Sequence, residues 1–233
     1  NKKDNKKDNK KDNKKDIKIG GKVISTGAVG CIFSPSLKCT NKNSITRKQE
    51  HNFITKLMLT NEANNEMQIT QEILNEIQKI QNYGKLERYL PLLSIHMCNN
   101  FHIKKGDIEN LNLCNTVKGF ENIKYFKQNY KDLSYLSNYK SVNFKNAGSD
   151  LLDYLNKMNK MQQMNSSLLI KTFMHINNKL IELCEKCIFI LNDNNIVHTD
   201  IKRENLTINR NNISLIDFGR AIIADGTTIP PII

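Results

Sequence analysis

The chain has 233 residues, 39% of them hydrophobic, and a formal charge of +12, which is apolar material enough for one large domain or two small lobes. Four NKKD copies in residues 1–16 carry +4 of that charge and leave +8 to the rest, so the basic balance is a weak argument for nucleic acid. No apolar run is long enough to span a bilayer and the charged start lacks the apolar core of a signal peptide, so a soluble intracellular protein is expected.

The NKKD repeats contain nothing to bury and are expected to form a solvated tail. From Ile17 to Phe33, IKIGGKVISTGAVGCIF reads as strand, tight glycine loop, strand, followed by a polar connection. Phe53–Leu59, FITKLML, alternates as a strand with Lys56 inside it. From Asn61, the expected N-cap, to about Tyr83, the residues Ala63, Met67, Thr70, Ile73, Leu74, Ile77 and Ile80 recur at helical spacing. YLPLLSIHM and YKSVNFKNAG are expected strands. Between them, about 99–140 is an insertion rich in Asn, Lys and Tyr, read as folded against the domain rather than as a stacking platform for single strands.

After Gly148, SDLLDYLNKM begins a short helix. The next segment, SSLLIKTFMHINNKLIELCEKCIFILND, keeps helical period through Leu169, Phe173, Ile176, Leu180, Leu183, Cys187 and Leu191, a face expected to be buried. NNIVHTDIKREN is a loop, LTINRNNISLID two short strands joined by NRNN, and FGR opens a further loop. Of the six cysteines only Cys184 and Cys187 form a CxxC, and without a second pair at metal spacing they read as buried thiols on a helix. Strands first and helices second give an α+β chain with 1–16 as tail, 17–147 as a sheet-rich unit with the insertion, and 148–233 as a mainly helical one.

Asp200, Asn205 and Asp217 each stand where an apolar stretch meets a polar one. Transfer of a phosphoryl group asks for such a set: a carboxylate beside the attacking hydroxyl, and hard oxygens on Mg²⁺. Asp also caps turns, which is the plainer use of both aspartates.

Spacing then carries a resemblance. His198, Asp200, Lys202 and Asn205 fall at the intervals of H-x-D-x-K-x-x-N, and Asp217, Phe218 and Gly219 form D-F-G; together they resemble protein kinases of the serine/threonine type. The resemblance implies a bilobal fold, with an antiparallel sheet and one helix in the first lobe and a partial, mainly helical second lobe. It implies ATP and Mg²⁺ as cofactors. Asp200 would orient the hydroxyl and take its proton, Lys202 would neutralise the transferring phosphoryl group, and Asn205 and Asp217 would hold the metals. Lys202 also favours a protein Ser or Thr hydroxyl as acceptor. His198 has a packing role in that family.

By the same resemblance Ser25, Gly27, Gly30 and Ile32 occupy the named positions of GxGxxGxV, with Ser25 departing from the pattern. Lys56 matches the strand lysine that contacts phosphates, and Glu66 is its expected partner, with Glu62 the competitor. Thr199 takes the place where many regulated kinases carry an arginine that reads an activation-loop phosphate, so that control is not expected. STGAVGCIFSPSLKC, ITKLM and ANNEMQI also resemble divergent kinases of large DNA viruses, which implies host cytoplasm or virion as the setting. The match runs from about 19 to 223. The later part of a kinase second lobe has no counterpart after DFG, and a partner or further segment is expected to complete it; the alternative is a truncated pseudokinase that binds nucleotide or partners without turnover. Nucleic acid is the least supported partner.

Overall fold

The computed structural model describes residues 21–27, 29–39, 52–98, 101–102, 111–114, 137–160, 166–209 and 211–224. The NKKD repeats, most of the 99–140 insertion, the polar connection over 40–51 and the last nine residues lie outside the described residues.

Within them the chain is mixed α+β. Strands β1 (Lys22–Thr26), β2 (Gly30–Ser34), β4 (Phe53–Leu59), β5 (Ile95–Cys98) and β7 (Tyr139–Lys145) form one antiparallel sheet in the order β1-β2-β4-β7-β5. Two short strands, β3 (Lys38–Cys39) and β6 (Phe101–His102), pair beside it. FITKLML forms the expected strand because its alternation gives each face its own partner. Leu57 points with Cys31 and Phe33 into a core that also takes Leu37, Phe101 and Leu111. Met58 meets Ala63 and Val142 on the other side. There the sheet receives helix α1 (Thr60–Lys79), which buries Ala63, Thr70, Ile73, Leu74 and Ile77. The helix starts one residue before the expected cap: Leu59 holds the cap position and no side chain caps it, so Asn61 is already inside the first turn. It stops at Lys79, ahead of the expected Tyr83, because Asn82 turns left-handed at φ 61° and Tyr83–Leu86 forms a separate 3₁₀ turn. Pro91 likewise opens a 3₁₀ turn, Pro91–Ser94, and delays strand β5 to Ile95.

Two disulfides clip the face of the sheet opposite α1: Cys31 in β2 with Cys114, and Cys39 in β3 with Cys98. Sequence separations of 83 and 59 residues offered no sign of them.

Gly148, at φ 102°, turns the chain out of the sheet, and a Cβ there would meet the Ile208 carbonyl oxygen at 2.2 Å. Strand β8 (Ser149–Asp150) then pairs with β10 (Leu206–Asn209), itself in a hairpin with β11 (Asn212–Leu215). Helix α2 (Leu151–Lys160) starts with Asp150 accepting from the Asp153 amide at 2.7 Å. Helix α3 (Ser166–Leu183) runs through a π turn (Cys184–Ile188) into α4 (Phe189–Asp193). The long face is only partly covered as expected. Ile176, Leu183, Cys187 and Leu191 are buried and Leu169 and Leu180 half-buried, but Phe173 is exposed, along with Ile170, Met174 and Ile181. Cys187 is buried and its thiol pushed up to about 12 by desolvation, so it is inert; Cys184 is half-buried. Strands β9 (Ile196–Val197) and β12 (Ile222–Ile223) close the last loops on one another. The largest core joins α1, α3 and the hairpin, from Ile73 and Ile77 to Leu215 and Phe218. No helix among the described residues is long and apolar enough to cross a membrane.

Candidate functional site

Register builds the first half of the site. Ser25 stands opposite Ile32, and Ile32 opposite Lys56. Residues directly opposed in antiparallel strands share a face, so the three form one row, on the side where α1 packs. A bulge between Val23 and Ser25 sets the phase of β1. The turn between β1 and β2 is closed by the Gly27 amide donating to the Gly30 carbonyl at 2.8 Å; Ala28 lies outside the described residues. The two glycines differ in need. A Cβ at Gly30 would meet Met58 Cγ at 2.7 Å and the Leu57 carbonyl oxygen at 2.9 Å, whereas one at Gly27 would find only the Gly30 oxygen at 3.7 Å. Gly30 is required by the approach of β4, and Gly27 by nothing in its surroundings.

Lys56 extends from that row to Glu66 of α1, Nζ to Oε2 at 2.5 Å, with 14% and 11% of the two side chains exposed. Glu62, the competitor, is not in the pair. Burial pushes the Glu66 carboxyl above the ordinary carboxylate range, Lys56 draws it back, and the negative charges of Asp217 and Glu62 push it further up. Asp217 is thus brought within electrostatic reach of Glu66, the partner of the strand amine.

The second half is built by residues 198–205. His198 is buried, its Nε2 is 2.9 Å from the Ile216 carbonyl oxygen, and its ring packs edge-on against Phe218 at 4.6 Å between centroids. Desolvation lowers its pKa, which keeps the ring neutral and structural. Asp200 accepts at Oδ2 from Lys202 Nζ at 2.8 Å and from Asn205 Nδ2 at 3.0 Å; Asn205 Nδ2 also donates to the Asp200 carbonyl at 2.9 Å. Lys202 first, then Asn205 and Arg220, hold the Asp200 carboxyl below the ordinary range against the opposing effect of burial. With both bonds on Oδ2, Oδ1 is the oxygen left to face another group. Buried Asn205 spends its amide nitrogen on Asp200, so its Oδ1 remains an acceptor. The backbone ties the two loops, since the Ile216 amide donates to the Asn205 carbonyl at 2.9 Å. Asp217 follows at φ 64°, exposed, in the left-handed region that Asp tolerates.

The structure therefore joins Lys56 to Glu66 and Asp200 to Lys202 and Asn205, and aligns Ser25 and Ile32 with Lys56. Asp217 stands in electrostatic reach of both Glu66 and His198. Among the described residues no group of three His, Cys, Asp or Glu side chains converges on one point. The metal donors expected are instead two, the Asn205 amide oxygen and the Asp217 carboxylate, with the Asp200 carboxylate beside Asn205. These are hard oxygens of the kind Mg²⁺ takes when phosphates complete its shell, the carboxylate binding in its ionised form. Two contacts escaped sequence reasoning: the double donation by Asn205, and a bond from Thr199 Oγ1 to the Arg220 carbonyl at 2.6 Å. The first closes the 198–205 loop on itself, on the Asp200 carbonyl and carboxylate, and the second crosses to the next loop through a backbone oxygen, which no spacing records. No protein-family model matches the chain, and no curated protein matches it.

Proposed function

We propose that the chain is a protein kinase of the serine/threonine type, transferring a phosphoryl group from ATP to a Ser or Thr hydroxyl of a protein. In this reading the five-stranded sheet with α1 is the smaller lobe, and α2, α3, α4 and the β10–β11 hairpin belong to a partial, mainly helical second lobe. The supporting observation is the buried Lys56–Glu66 pair with the Asp217 charge felt at it. Lone charges are costly to bury, and a pair that feels a carboxylate from a distant loop gives that cost a use.

Lys56, fixed by Glu66, would contact the nucleotide phosphates from the row that Ser25 and Ile32 continue, with Gly27 and Gly30 at the turn between their strands. Asn205 Oδ1 and Asp217 would hold magnesium, which supplies charge neutralisation for the phosphates. Asp200 is kept ionised by Lys202 and Asn205. A carboxylate so held is a weak base, suited to orienting the hydroxyl and receiving its proton late in the transfer. Lys202 lies beside it, placed to offset charge on the moving phosphoryl group.

The second reading, a chain that binds nucleotide or a partner without turnover, draws on the exposed Ile170, Phe173, Met174 and Ile181 of α3. Such a stripe suits a partner or further segment packed against it. The expected result is that Mg²⁺·ATP raises the melting temperature and that Asp217→Ala abolishes the rise; an unchanged melting temperature for the wild-type chain would refute nucleotide binding. Transfer of labelled phosphate to a basic protein that Asp200→Ala abolishes selects the enzyme over the silent binder, and a shift without transfer selects the binder.

A further inference from the structure

Four described residues other than glycine have positive φ: Asn82, Asn195, Asp217 and Thr199. Asn and Asp enter the left-handed region readily, but a β-branched residue does so only when its surroundings impose it. Thr199, at φ 58°, is that exception, and it immediately precedes Asp200.

What holds it there is on both sides. Behind it, His198 is anchored to Ile216 and Phe218, and Val197 pairs with Ile222. The Ala224 amide donates to the Asn195 carbonyl at 2.7 Å. From Thr199 itself, Oγ1 donates to the Arg220 carbonyl at 2.6 Å. Arg220 lies three residues after Asp217, so this one hydroxyl spans from the residue before one functional carboxylate to the segment just after the other. Thr199 makes this bond from the left-handed backbone.

We propose that Thr199 is a positioning residue, whose hydroxyl bond to the Arg220 carbonyl keeps the Asp200 loop and the Asp217 loop in fixed register without any added phosphate. The inference rests on the kinase reading and extends it: the link between the loops is a permanent part of the chain, made by an uncharged side chain.

The test compares T199S, T199A and T199G in the full chain, measuring melting temperature without ligand and apparent affinity for ATP with Mg²⁺ and with EDTA. Serine keeps the hydroxyl and should bind Mg²⁺·ATP as the wild type does. Alanine loses the bond and keeps the backbone strain, so it should melt lowest. Glycine loses the bond but accepts the positive φ freely, so it should melt above alanine. Both T199A and T199G should bind Mg²⁺·ATP roughly threefold to tenfold more weakly, the loss expected for one hydrogen bond, with binding in EDTA unchanged. Affinity that follows the hydroxyl while stability follows the backbone separates positioning from general destabilisation. If T199A or T199G keeps wild-type Mg²⁺·ATP affinity, or if affinity simply follows melting temperature, the inference is overturned alone. If the wild-type chain does not bind Mg²⁺·ATP, the kinase reading falls and this inference with it.

Discussion

At the scale of single residues, the Lys56–Glu66 pair is where the sequence's chemistry and the fold's energetics meet. Removing one member of a buried pair leaves the other uncompensated. Lys56→Met is therefore expected to lower stability by about 3 kcal/mol at neutral pH. The pH dependence fixes the cause. Burial already raises the Glu66 carboxyl in the folded state, and losing the Lys56 amine raises it further. A raised carboxyl favours folding below its unfolded pKa and loses that contribution as pH rises. The deficit of Lys56→Met relative to wild type should accordingly be smallest near pH 4 and grow toward neutrality, about one full proton being linked to folding in that window. Urea melts at both ends of the range check it; a deficit independent of pH would mean that Glu66 is hydrated. Asp200 has the opposite sign, since its depressed carboxyl contributes stability that is lost as pH falls.

At the scale of elements, strand β2 is held on three counts. It pairs with β1 and β4, packs through Phe33 and Cys31 into the core, and is bridged through Cys31 to Cys114. The bridge lies on the face opposite Ile32 and Lys56, so it braces the row from behind. Disulfides persist where the surroundings oxidise thiols or where the thiols are sealed from reductant. Thiol labelling reads directly whether both bridges form. Under denaturing, non-reducing conditions only Cys184 and Cys187 should react with a thiol reagent. In the chain-entropy view either bridge alone, closing 83 or 59 residues, contributes about 4 kcal/mol, and because the two loops are nested the second adds less. Reduction should thus lower the melting temperature markedly, and a chain whose six thiols all react before reduction would show the bridges absent.

At the scale of the whole molecule, one carboxylate ties the long helix to the segment between α1 and β5. Glu182 of α3 accepts from the Tyr89 hydroxyl at 2.9 Å and from Lys179 at 2.7 Å, and pairs with Arg88, whose guanidinium lies 4.7 Å from the Tyr89 ring centroid. The same segment is held to the hairpin by the Leu215 amide donating to the Tyr89 carbonyl at 2.8 Å, and by Ser214 Oγ donating to the Arg88 carbonyl at 3.0 Å. Lys179 and Tyr89 hold the Glu182 carboxyl down at about 2, from an ordinary 4.5. Its contribution is complete above the ordinary value and is lost as pH falls toward about 2. Glu182→Gln should be less stable than wild type at pH 7, and the two should converge as pH approaches that lower value. Acid melts of both chains measure the convergence; a gap that persists at low pH would assign the loss to packing instead of charge.

The sequence alone determined the parts with strong local periodicity. FITKLML is the strand it reads as, from Phe53 to Leu59, and the hairpin around NRNN is where its turn residues place it. Alternation and helical spacing are local patterns, and each is satisfied wherever a core forms. The spacing of Asp200, Lys202, Asn205 and Asp217 was also legible, because loop residues of one short segment stay near one another in any compact fold. Tertiary structure decided the rest. It chose Glu66 over Glu62, left Phe173 in solvent although it keeps the period of its buried neighbours, paired four distant cysteines, and set Thr199 against Arg220. Each of these depends on which surfaces meet across many residues of chain, and a one-dimensional pattern records the preference of a residue for burial without recording what it will be buried against.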